Sequence, residues 1–511
     1  PAPAGSGPDA SPEAVAGGGA VTGTLRFGID ADAETFDPCF QNTALDGALI
    51  QQIMEPLVWY DNDLNMIPWL ATSWEATNEA RTFTFHLKPG VAFHCGEPFD
   101  ADAVARHFRR ILDTPGSTRR ERIAQVASIE VTGDLTVRFE LSEPYARFPE
   151  VLRDPFAHIV CPRHAEERGQ DFARHPCGTG PFVFEAWQPE VRIRMRRHPA
   201  WHGGTVGFEE LVFIPMPEET TRVIELLAGN LEMCVVSWNI VNDLRQRYGD
   251  EIEVQAAPSL SVRYIAFNTQ KPPFSDVRMR RAANLAVNQQ EIIDHLMNGV
   301  GTVSHGPLPP NMPDYNPDMV RYDYNPGEAR RLMAEAGYPG GVDVLMWSDD
   351  RQTFSTIANA VVEDLRQVGI RVRLQTFDRA TYWGQFDRYI PVSGPWDPTG
   401  EGVYDMAIAG WVGGESPFGF LKPLFTSNSY SNSAFYSNPE MDAILTAMNL
   451  TLDPEEYHQL ALEAQRIIAE DAPWLFCSHG VEGIALRPNV RGYVINPGGE
   501  FRFDGVSVAA E

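Results

Sequence analysis

The sequence predicts an α/β protein of two to four domains, and three observations carry that prediction. Residues alternating between apolar and polar recur through the first half of the chain, strands and helices alternate in the second, and 511 residues with 28 Phe, 15 Tyr and 11 Trp can fill more than one core.

Successive side chains of a strand point to opposite faces, so an apolar residue at every second position marks a half-buried strand. That spacing occurs at Leu25, Phe27 and Ile29, at Phe83, Phe85 and Leu87, at Leu135, Val137, Phe139 and Leu141, and at Val191, Ile193 and Met195. Helical spacing interrupts it twice: Asp100 opens a run with Val104, Phe108, Ile111 and Leu112 on one face, and Glu218 opens another through Val223, Leu226 and Leu227. From about residue 261 the pattern changes. Asn325-Pro326, Asn438-Pro439 and Asp453-Pro454 each combine a capping side chain with a proline at the first helical position, and Gly337 ends the first of these helices. A strand Val342 to Trp347, a helix Thr353 to Val368, a strand Ile370 to Thr376, a short helix Arg379 to Phe386 and a strand Tyr404 to Ala409 form a β-α-β-α-β succession, which predicts parallel strands. Ligands of such sheets bind beyond the carboxyl ends of the strands, nominating the loops Ser348 to Gln352, Phe377 to Arg379 and Gly410 to Phe418.

Residues 1–23 are mostly Pro, Gly, Ala and Ser with almost no large apolar side chain, the composition of a flexible tether. The first residue is proline, which leads us to expect a removed upstream segment: a signal peptide, with or without a lipid-modified cysteine. No stretch approaches 18 consecutive apolar residues, the length a membrane span needs.

The formal net charge of −28 repels phosphate backbones, so no nucleic-acid partner is expected. The densest basic run, Arg192 to Arg197, alternates like the solvent face of a strand. Only three of 41 basic residues are lysine (Lys88, Lys271, Lys422), each before a proline, which excludes a phosphate-binding G-x-x-x-x-G-K-[ST] loop. Gly178-Thr179-Gly180 runs into Pro181-Phe182 without a third glycine or a helix, and reads as a turn into a strand. The six cysteines (Cys39, Cys95, Cys161, Cys177, Cys234, Cys477) include no C-x-x-C pair; their even number permits disulfides and equally fits buried thiols. His94-Cys95, His175 near Cys177, and Cys477 near His479 are read as packing, not metal ligation, so no metal site and no cofactor is expected. Asp349-Asp350 reads as a solvated loop and Glu455-Glu456 as a helix first turn. Nucleophile-elbow, HExxH and EF-hand signatures are missing, and no catalytic constellation emerges; the expectation is a protein that is not an enzyme.

Several segments together resemble a known family. IMEPLVWYDNDLNMIPWLATSWEATNEARTFTFHLKPGVAFHCGEPFDADAVARHF resembles the opening of the family 5 solute-binding proteins of ABC transporters, the peptide, nickel and opine receptors. GTGPFVFEAW, YIAFNTQKPPFSDVRMRRAANLAVN, YDYNPGEARRLMAEAGYP, YDMAIAGW and YSNPEMDAILTAMNLTLDPEEYHQLALEAQRIIAEDAPWL follow in the family's order across residues 24–484. The resemblance implies a two-lobed periplasmic-binding-protein fold (type II, cluster C-like) with an extra subdomain inserted in lobe I. Lobe I would comprise 24–66, 183–260 and 485–511 with the insert at 67–182, lobe II would run over 261–484, and crossovers near Ser259 to Asn268 and Leu475 to Ile484 would form the hinge. It further implies a monomer at the periplasmic or extracellular face of the membrane that closes on a small-molecule or short-peptide ligand and docks on an ABC permease.

Peptide receptors of the family are similar in pairing the ligand's amino group with an acid, in an Asp-Pro step after the YDMAIAGW-like strand. Here Ser416 precedes Pro417, and Glu415 is the available substitute. An unpaired buried ammonium is costly, so if Glu415 points away a simple peptide is disfavoured. For a ligand carboxylate the candidates are Arg351, unless it pairs with Asp349 or Asp350, and Arg263. Trp411, Phe418, Trp238 and Phe36 are candidate walls, by similarity to the aromatic-lined sites of the family. Thr426 to Ser429 stand where some nickel-type members place a histidine, so direct metal chelation by this chain is not expected; a non-peptide solute such as a metal held by a small chelator, an opine or an oligosaccharide stays open as the alternative, and an enzyme on the same fold is the remoter one.

Overall fold

The computed structural model describes residues 23–391 and 394–509, so the tether expected over residues 1–23 lies outside the described residues except for Gly23.

Among the described residues eleven strands form one mixed sheet, ten in a continuous order and the short Thr302–Val303 pairing off that path, and two long ones hold it together. The strands Glu253–Phe267 and Trp474–Leu486 pair antiparallel down its middle. On one side lie Met233–Val236, Thr24–Ile29, Glu210–Pro215, Arg192–Arg197 and Phe182–Gln188, in that order; on the other lie Met406–Val412, Val342–Asp349 and Ile370–Phe377. The register of the central pair shifts between Pro258 and Val262 and again between Arg263 and Tyr264. Such irregularities bend strands, and here they fall where the chain passes from one half to the other. Below them Tyr264 stacks on Trp474 with ring centroids 3.5 Å apart and planes 9° from parallel, pinning the two strands face to face.

The local reasons for these elements are those read from the sequence. Leu25, Phe27 and Ile29 are fully buried on the inner face of Thr24–Ile29, and Asp100 caps the helix Ala101–Asp113 by accepting the Ala103 N–H. Val342–Asp349 pairs parallel with both Ile370–Phe377 and Met406–Val412, the arrangement the β-α-β-α-β succession predicts. Asn325, Asn438 and Asp453 cap the helices Pro326–Glu335, Pro439–Leu450 and Pro454–Asp471. In the run Arg192–Arg197 the buried residues are Ile193 and Met195, while Arg194 pairs with Glu210 at 2.6 Å. The Gly178-Thr179-Gly180 turn is wedged against residues 52–54: a Cβ on Gly178 would sit 2.2 Å from the Ile53 carbonyl oxygen.

A separate four-stranded antiparallel sheet, Ala71–Thr77, Thr82–Leu87, Thr136–Leu141 and Val126–Gly133, forms between the first strand and the rest of its half. Phe83, Phe85 and Phe139 on that sheet pack with Phe108 of the helix Ala101–Asp113 into a core of their own. One expectation is corrected. Asp349 does not lie in a solvated loop; it ends a buried strand at 1% exposure and pairs with Arg351, which satisfies its charge.

Candidate functional site

A cleft of about 700 Å³ opens between residues 143–154, which follow the four-stranded sheet, and residues 411–430, which follow the strand Met406–Val412. That volume suits a drug-sized or short-peptide ligand.

On one wall the short helix Phe148–Val151 presents Glu150 and the following turn presents Arg153. This wall is docked on the other half of the molecule. The Ala146 N–H donates to the Asn449 carbonyl at 2.8 Å, an Arg147 guanidinium N–H donates to the Thr451 carbonyl at 2.8 Å, and the Arg147 guanidinium lies 4.5 Å from the Tyr457 ring centroid.

On the opposite wall the strand Met406–Val412 ends in Gly413-Gly414-Glu415 before the helix Pro417–Phe425. Gly413 is required there, because a Cβ would meet the Phe420 ring at 2.0 Å. Ser416 caps the helix by accepting the Gly419 N–H at 3.1 Å, and its hydroxyl donates to Glu150 across the cleft at 2.5 Å. A local role thus accounts for serine at this position: an aspartate would face the Glu150 carboxylate.

Glu415 and Arg153 meet at 2.5 Å, and Arg153 also grips Glu500. One guanidinium therefore joins three distant parts of the chain. Burial pushes the Glu415 carboxyl above its usual range, with Arg153 opposing. Burial likewise pushes Glu150 up to about 7, opposed by Arg147 and by the Ser416 hydrogen bond and reinforced by Glu415. Glu121, Glu143 and Asp154 add to the acidic lining, and Arg122 pairs with Asp154. Lys422 lies over the rings of Phe418 at 5.1 Å and Tyr145 at 5.6 Å, and burial against them lowers its pKa. It has no carboxylate within ion-pair distance among the described residues.

Of the residues nominated from sequence, Glu415, Trp411 and Phe418 line this cleft. Trp411 Nε1 is buried without an acceptor. Arg351 pairs with Asp349 through its Nε at 2.8 Å and lies over the Phe354 ring at 4.1 Å. Arg263, in the central strand opposite Gly410 and Ser478, has a buried guanidinium N–H without an acceptor, and burial lowers its pKa. Phe36 and Trp238 lie elsewhere. Phe36 is fully buried, packed edge-on against Phe184 and Trp187, and Trp238 packs on the separate core around Val241 and Leu244, so neither walls the cleft. Sequence reading missed Glu150, Arg153, Lys422 and Tyr145. Only the proline-flanked, charge-rich run Glu143 to Pro155 could have signalled the first two and the last, and nothing in it marks a cleft.

Residues 65–432 match the family model described as bacterial extracellular solute-binding proteins, family 5 middle. The chain is 32% identical over 491 residues to Heme-binding protein A of Haemophilus influenzae, covering 90% of this chain and 87% of that one. It is 29% identical over 484 residues to the glutathione-binding protein GsiB of Pectobacterium atrosepticum, covering 92% and 91%. Among solved structures, HbpA2 from Haemophilus parasuis aligns with a TM-score of 0.84 at 26% identity, over 96% of this chain and 100% of that one. DppA, an ABC transporter-associated periplasmic binding protein from Helicobacter pylori solved with the peptide STSA, aligns with a TM-score of 0.75 at 26% identity, over 96% and 98%.

Proposed function

Because the chain belongs to the bacterial extracellular solute-binding proteins of family 5, we propose that it captures a short peptide or peptide-like solute in the cleft between Glu150 and Glu415 and delivers it to an ABC importer. The observation that carries this reading is the charge layout of the cleft. Carboxylates outnumber cations along its walls, while Lys422 stands apart from them against two aromatic rings. A zwitterion fits such a site: its ammonium meets the Glu150 and Glu415 side, its carboxylate meets Lys422, and Tyr60, Trp411 and Phe418 cover its apolar parts. The relatives named for glutathione and the neighbour solved with a peptide support this class of ligand.

In this reading the lobes divide as 24–66, 183–260 and 485–511 with the insert 67–182 against 261–484, and the bent central strands act as the hinge. The protein works as a monomer outside the cytoplasmic membrane, free or lipid-anchored, and returns its ligand chemically unchanged. Among the described residues no helix is long and apolar enough to cross a membrane.

Native mass spectra of the purified protein, followed by denaturation and identification of the released mass, test the proposal. Release of a peptide or peptide-like zwitterion supports it, and in calorimetry with that ligand K422Q and E415Q should each weaken binding by about 10- to 100-fold. Release of a neutral sugar or a haem, or binding unaffected by both substitutions, overturns it.

A further inference from the structure

Three of the six cysteines meet where their spacing in the sequence gives no hint of it. The Sγ atoms of Cys95, Cys161 and Cys177 all lie within 4.8 Å of one another, and those of Cys95 and Cys161 are 3.2 Å apart. Backbone contacts hold the three segments in place. Cys95 sits in a turn closed by the Gly96 N–H donating to the Phe93 carbonyl and the Phe93 N–H donating to the Glu97 carbonyl, both at 2.8 Å. Gly96 has φ +87°, which glycine adopts freely. The His94 N–H donates to the Gly178 carbonyl at 2.8 Å and the His94 ring lies 2.9 Å from the Gly180 carbonyl, tying this turn to the segment that carries Cys177. The Cys161 N–H donates to the Cys177 carbonyl at 2.9 Å. Cys161 and Cys177 are buried and Cys95 is exposed, so the cluster has one open side.

We propose that this trio is a binding site for one thiophilic d10 cation, zinc(II) or copper(I), entering past Cys95 and held by three thiolates. Metal–sulfur bonds of about 2.3 Å set sulfurs about 3.8 to 4.0 Å apart in tetrahedral or trigonal geometry, so the observed spacing accommodates the ion with small side-chain movements. Among the described residues no His, Asp or Glu side chain joins the cluster. An all-sulfur donor set selects soft ions over magnesium or calcium and leaves any fourth position to solvent. None of the three cysteines lines the solute cleft, so the site is separate from the one described above. It would staple the turn at 93–97 and the segments at 161 and 177, where the inserted sheet returns to the main one. The proposal departs from the sequence-based expectation of no metal site, because chain spacing cannot show three loops converging in space.

The competing use of the same sulfurs is a Cys95–Cys161 disulfide beside a free Cys177, a bond favoured outside the cytoplasm. Purified full-length protein, reduced, stripped with chelator and kept anaerobic, is titrated with zinc against a chromophoric competitor and with copper(I) in the same way; cobalt(II) provides a spectroscopic probe. We expect one zinc per chain, a thiolate-to-cobalt charge-transfer band, and affinity reduced by at least about 100-fold in C95S, C161S and C177S, with C234S matching the parent. The buried C161S and C177S variants risk misfolding, so C95S is decisive, provided its metal-free circular dichroism matches the parent. The inference is overturned by a reduced protein that takes up neither metal, by uptake that C95S leaves intact, or by a Cys95–Cys161 disulfide in protein isolated from the cell envelope.

Discussion

Arg153 bridges two carboxylates, Glu415 and Glu500, each only 9% exposed. Replacing it with methionine keeps much of the volume and removes the charge, leaving both acids buried without a cation. Breaking a buried ion pair from one side costs about 3–5 kcal/mol, because the remaining charge stays desolvated. R153M should therefore lower the unfolding free energy by about that amount, and E415Q by less, since Arg153 keeps Glu500. The double variant should be more stable than the sum of the single losses implies, with a coupling of about 1–3 kcal/mol. Urea titration at pH 7, followed by tryptophan fluorescence on the ligand-free protein, measures all four corners of the cycle. Because Glu415 and Arg153 lie on opposite walls of the cleft, R153M should also increase the radius of gyration in small-angle scattering. Additive losses, or an R153M cost below about 1 kcal/mol, would refute the clamp.

Burial raises Glu150 from its ordinary carboxylate value to about 7, so the folded protein binds this proton more tightly than the unfolded chain does. The sign follows: the contribution is fully present below about pH 4.5 and is lost as pH rises through 7, amounting to about 3 kcal/mol across that window. The stability difference between the parent and E150Q should therefore change with pH between 4.5 and 7, and parallel pH curves would contradict it. G178A should destabilise by about 1–3 kcal/mol, because its Cβ collides with backbone at Ile53, whereas G340A, which meets nothing within 4 Å, should stay close to the parent in thermal melts.

Much of the architecture was legible because its signals are local. Alternation at Leu25, Phe27 and Ile29, caps at Asn325, Asn438 and Asp453, and the β-α-β-α-β order of residues 342–412 depend on neighbours within a few positions, where side-chain direction follows from backbone geometry. Resemblance over residues 24–484 supplied the family, which the match over residues 65–432 bears out. The cleft was legible on one wall only. Glu415, Trp411 and Phe418 follow a strand that the sequence marks, at the carboxyl end where ligands of parallel sheets bind. Glu150, Arg153 and Lys422 carry no such mark: nothing near them in the chain says that Glu150 would reach Ser416, or Arg153 reach Glu415 and Glu500. Cys95, Cys161 and Cys177 make the same point, each unremarkable in its own segment. Short-range order along the chain determined which elements form. Which charges and sulfurs meet was decided by the packing of segments tens to hundreds of residues apart, because burial and electrostatic contact act through space.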